Sequence, residues 1–144
     1  MLEVAYESQV HWYTKPDLLR TQPDFHGQTR FDSIMVDTVD GPAFAQLVFM
    51  FCVTPSNEVG RTQLALICYY TPIPQSSCPH SDKLVGFRRF KLSEVFSAII
   101  SLESVIRGVF MVPTFSESGS PITFFVNDLV DSDMFIRMKR YTAL

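Results

Sequence analysis

Apolar and polar positions alternate from the first residues. Leu2, Val4 and Tyr6 alternate with Glu3, Ala5 and Glu7, and Val10 and Trp12 continue the even register. A period of two predicts a half-buried strand over Leu2 to Tyr13, ended by Lys15-Pro16-Asp17. Residues 16–30, broken by Pro16, Pro23 and Gly27, read as a loop. Two apolar runs, Thr29 to Val39 and Pro42 to Val53, flank Asp40-Gly41. That dipeptide predicts a hairpin, because glycine takes positive φ at little cost. A turn at Pro55-Ser56-Asn57 precedes a third run, Thr62 to Thr71, whose continuous apolar character suits a strand buried on both faces.

Residues 72–83, with three prolines, read as a loop, and Leu84 to Leu92 as a strand. The pattern over 93–98 is ambiguous. Leu102, Val105 and Ile106 share a helical face, so Ser101 to Arg107 reads as a short helix capped by Ser101 and stopped by Gly108. Val109 to Val112 and Ile122 to Asn127 read as strands around a turn-rich loop, Thr114 to Pro121. Residues 132–140 read as a last helix, capped by Asp131 or Ser132, with Arg137, Lys139 and Arg140 suited to its C-terminal end. About seven short strands and two small helices predict an all-β barrel or sandwich. The 144 residues suit a single domain, 1–144, with a looser N-terminal segment over 1–24.

Composition narrows the function classes. Apolar residues make up 47% and charged residues 19%, which excludes disorder. The net charge of -3 gives no general field for nucleic acid. There is no apolar run long enough to span a bilayer and no secretory leader at the N-terminus, so an intracellular protein without membrane contact is expected. Three cysteines, Cys52, Cys68 and Cys78, read as reduced thiols rather than a disulfide framework.

Few residues propose chemistry. Cys78-Pro79-His80 with Cys68 is a sparse zinc set that would need a fourth ligand from His11, His26 or Cys52. The acids in Asn127 to Asp133 lack the glycine and distal glutamate of a calcium loop, and helix capping accounts for them. No nucleophile elbow, phosphate loop or metalloprotease helix occurs, so no catalytic residue, metal or cofactor is assigned. Two basic groups, Arg88, Arg89 and Lys91, then Arg137, Lys139 and Arg140, would contact phosphates if they converged. Trp12, Tyr69 and Tyr70 are candidates for a cationic peptide side chain, although neighbours on a strand face opposite ways.

Four stretches carry a resemblance: Phe25 to Asp32, Pro42 to Phe51, Ile100 to Gly108 and Val126 to Met138. Together they resemble the C-terminal region of large transposon-derived proteins of mushroom-forming fungi, over roughly residues 25–140. The transposase core is absent from this chain. In architecture the order resembles a bromo-adjacent homology domain, which implies a small SH3-like, partly open barrel with one or two short helices. Where that family has a tryptophan after its second strand, this chain has Tyr69 or Tyr70. The resemblance implies a non-enzymatic, nuclear module that binds a protein or histone peptide. The alternatives are a nucleic-acid-binding accessory domain and a small enzyme.

Overall fold

The computed structural model describes residues 1–54, 56, 60–115, 119 and 121–141. Eleven strands and two α-helices follow in the order β1 (Leu2–Glu7), β2 (Thr14–Leu19), β3 (Thr21–Phe25), β4 (Gln28–Phe31), β5 (Ser33–Thr38), β6 (Gly41–Val53), β7 (Thr62–Pro72), α1 (His80–Val85), β8 (Arg89–Ser101), β9 (Val105–Val109), β10 (Met111–Phe115), β11 (Pro121–Val126) and α2 (Ser132–Tyr141). The fold is all-β with few helices, as the strand pattern predicts. Seven strands form one sheet in the order β10-β11-β8-β7-β6-β5-β9, and β1-β2 and β3-β4 form two small hairpins.

Hydrogen bonds leave the large sheet open, with β10 and β9 as its edges. Only Phe110 separates these edges along the chain, so they meet through the backbone rather than through a ladder.

Strand alternation builds two cores. Ile34, Val36, Ala45, Leu47, Ala65 and Ile67 pack on one face, under Val4 and Leu19 of the β1-β2 hairpin. Met35, Phe44, Tyr70, Phe90 and Val126 pack on the other, under Met134 and Met138 of α2. Ile34 and Met35, neighbours on β5, thus serve different cores, as a period of two requires.

Several expectations need correction. The region 16–30 is not a loop. It holds β2, β3 and β4, and His26-Gly27, both at positive φ, make the two-residue turn between β3 and β4. The first strand stops at Glu7 and returns as β2, so Pro16 lies in a two-stranded ribbon, where a missing N–H is tolerated. Within segment 1–24, Val4, Tyr6, Ser8 and Leu19 are buried. Thr38 pairs with Gly41, so Val39 and Asp40 form the turn and Gly41, at φ 105°, follows it.

Residues 80–85 form α1, which Gly86 ends in the left-handed conformation, where a strand over Leu84 to Leu92 was expected. Ser101 caps only one 3₁₀ turn, Leu102–Ser104, before β9 begins. The β-branched Val105 and Val109 pair with β5 instead of continuing a helix, and Ile106 lies at an irregularity in that pairing. The ambiguous residues 93–98 lie in β8 at an irregularity, where pairing moves from Leu92↔Tyr70 to Ser97↔Cys68. Pro55 and Asn57 of the expected turn, and half of the loop over 114–121, lie outside the described residues.

Candidate functional site

The densest polar cluster lies at the β9 edge. The Arg107 side chain is 5% exposed. Its Nη1 and Nη2 donate to the two carboxylate oxygens of Asp131, at 3.1 and 2.7 Å. Nη1 also donates to Asp133 Oδ2 at 2.7 Å, and Arg137 Nε reaches the same oxygen at 2.7 Å. The other oxygen of Asp133 accepts the Gln9 N–H at 2.6 Å, and Arg137 Nη2 donates to the Glu7 carbonyl at 2.7 Å. The Tyr6 ring stacks against the Arg107 guanidinium at 4.3 Å. This clasp ties the β1-β2 hairpin to α2 around the sheet edge.

The clasp also blocks that edge. Asp17 Oδ2 accepts the Gly108 N–H at 2.9 Å, and Arg107 Nε donates to the Gly108 carbonyl at 3.2 Å. Both edge groups of Gly108 are therefore unavailable to another strand. Glycine is needed there, since a Cβ at 108 would lie 3.0 Å from Leu19 Cδ2.

Burial disfavours charge on all three clasp groups, and the pairing overrides it. Burial pushes the Asp131 carboxyl up, but the Arg107 hydrogen bond and the Met134 N–H bring it below the usual carboxylate range. Burial likewise raises Asp133, but bonds from Arg137, the Gln9 N–H and Arg107 bring it below that range. Burial lowers Arg107, and bonds to Asp131 and Asp133 raise it above its ordinary value. The arrangement fixes position and holds charge, and the Met134 N–H on Asp131 Oδ1 at 2.7 Å makes Asp131 the α2 cap.

The accessible chemistry lies beside the clasp, in a cleft of about 420 Å³. The turn between β1 and β2 shapes it. Buried Ser8 accepts the Val10 and His11 N–H groups on its hydroxyl, and its carbonyl accepts the Trp12 N–H at 2.9 Å. Trp12 ends this turn at φ 58° with its side chain 71% exposed. Strand pairing would instead have placed Trp12 against the sheet. Glu7, Asp37 and Glu103 line the same cleft, from β1, β5 and the turn before β9. Arg137 and Arg140 line its far side. Arg137 is engaged by Asp133, so three exposed carboxylates face one unpaired arginine among the described residues.

The expected aromatic trio does not assemble. Tyr70 is 5% exposed, its hydroxyl is 3.0 Å from Ser33 Oγ, and its ring meets the Phe124 edge at 5.1 Å. Burial raises its pKa. Tyr69 packs on the opposite core, under the β1-β2 hairpin. Only Trp12 stands at a cleft.

The basic groups also divide. Arg89 forms an ion pair with Asp82 and lies 4.8 Å from the Phe125 ring. Arg137 belongs to the clasp, and Lys91 is exposed on β8. Arg88 lies 5.7 Å from the Tyr141 ring, and Lys139 lies 4.6 Å from the Phe135 ring. Arg88 and Lys139 line one small cleft, and Arg140 lies across α2 with Trp12. No continuous phosphate track results.

The cysteines are free thiols, with Cys52 exposed and Cys78 buried. Among the described residues, no three His, Cys, Asp or Glu side chains stand together as metal ligands. No helix among them is long and apolar enough to cross a membrane. Sequence reasoning missed Glu7, Asp37 and Glu103 because they come from separated segments. Arg107 carried a readable signal, a lone charge inside the apolar run Val105 to Val112. Compared with known proteins, the chain matches no family model, no curated protein and no solved structure.

Proposed function

We propose that this chain is a non-catalytic protein-interaction module that takes a basic peptide of histone-tail type in the Trp12 cleft. In this reading it derives from a transposon-encoded protein and works in the nucleus. The observation that carries the reading is the exposed Trp12 ring, set in a left-handed turn beside Glu7, Asp37 and Glu103. An indole face attracts a lysine or arginine cation, and nearby carboxylates add to that attraction. The net charge of -3 favours the same partner. Nucleic-acid binding has less support, because Arg89 and Arg137 are held in internal ion pairs.

Trp12 is the single tryptophan, so its fluorescence reports the cleft directly. Titration with a lysine- and arginine-rich peptide should change the emission with micromolar affinity. Binding should weaken about tenfold or more on replacing Asp37 and Glu103 by lysine, and should weaken with salt. An unchanged spectrum up to millimolar peptide would refute the proposal.

A further inference from the structure

A second cleft, of about 180 Å³, lies where α2 passes the turn between α1 and β8. Small-molecule sites begin near ~300 Å³, so this one suits a single side chain of a longer ligand. Phe87 and Phe135, 44% and 39% exposed, flank it, and Arg88 and Lys139 stand on its rim. The adjoining chain exposes more apolar surface. Leu84 and Val85, just before Gly86, are 75% and 62% exposed, and Leu129 and Val130, just after Asp128, are 76% and 53% exposed. Single exposed apolar residues are ordinary, but six in three short segments bordering one cleft mark a contact surface.

We infer that this surface docks an acidic peptide with one bulky apolar residue. The apolar side chain enters between Phe87 and Phe135, and a flanking carboxylate meets Arg88. Charge complementarity selects this occupant. Arg88 has no carboxylate within ion-pair distance among the described residues, and the only acid lining the cleft is Asp128. Nucleic acid fits less well. Tight binding uses about six to ten phosphate contacts, and the two cations lining this cleft do not supply them. The surface is independent of the Trp12 cleft, which has different residues and the opposite charge.

The test is fluorescence polarisation of a dye-labelled peptide in which one phenylalanine has two glutamates on each side. The expected result is saturable micromolar binding. It should weaken at least tenfold with Arg88→Glu and with serine in place of the peptide phenylalanine, and it should survive Trp12→Ala. Arg88 lies outside both cores, so the variant should keep its circular dichroism melting curve. Absence of binding, or binding insensitive to Arg88→Glu in a folded variant, would overturn the inference. So would competition by a single-stranded oligonucleotide or by phosphatidylserine vesicles at lower concentration than unlabelled peptide.

Discussion

At its first turn, α2 sets Asp131 and Asp133 against Arg107 and Arg137, with every contact between 2.7 and 3.1 Å. At its last turn, Lys139 and Arg140 line two different clefts, with Lys139 4.6 Å from the Phe135 ring. The same short helix therefore uses charge in two ways. Buried and matched charge fixes where the hairpin, the edge strand and the helix sit. Charge at a cleft rim with no carboxylate in ion-pair distance among the described residues, as at Arg88, remains available to something else. Arginines near one another in sequence do not share a role, and their partners decide which role each takes.

The largest expected effect comes from breaking the matched end. Arg107→Ala leaves the buried Asp133 and the capping Asp131 short of a partner, and should cost about 3–5 kcal/mol in urea unfolding. Acid should act on the same groups. Both carboxyls are depressed in the folded state, so their contribution is complete above the ordinary carboxylate range, near about pH 4. It is lost as pH falls through the folded values, because the unfolded chain then binds more protons. The urea midpoint should hold from neutral pH to about pH 5 and then fall, with a shallower fall in Asp133→Asn. Gly108→Ala should cost about 1–2 kcal/mol, since Leu19 is buried and has little room to give way.

The end at the clefts should behave differently. Arg88→Glu and Arg140→Glu should change stability by less than about 0.5 kcal/mol. Trp12→Gly should shift stability upward by less than about 1 kcal/mol, because glycine takes the left-handed turn without strain. The same change should abolish basic-peptide binding. A loss of several kcal/mol from either set would show that the clefts are structural and would dissolve the contrast.

Which parts of this were readable in sequence has a physical basis. Apolar runs between turn signals placed β5, β6, β7 and β11, because a strand packed on a core is written in contiguous residues. The α2 cap at Asp131 was equally local. Arg107 lies in a run with helical spacing, and only pairing with β5, far away in sequence, makes it a strand. The region 16–30 contains prolines that suppress a strand reading, yet they are tolerated in two-stranded ribbons. The Trp12 cleft was half readable. An exposed aromatic can be suspected from composition, but the convergence of Glu7, Asp37 and Glu103 depends on topology.

The clasp also dictates when the molecule can finish folding. Gln9 and Asp133 are 124 residues apart, and Glu7 and Arg137 are 130 apart. During synthesis at about 5–20 residues per second, the β1-β2 hairpin waits on the order of 10 s for its helix. Until then the β9 edge has Asp17 but lacks the carboxylates that hold Arg107 in place. A ribosome-bound chain truncated before Asp131 should therefore show an exchangeable β9 edge, and completion of α2 should close it.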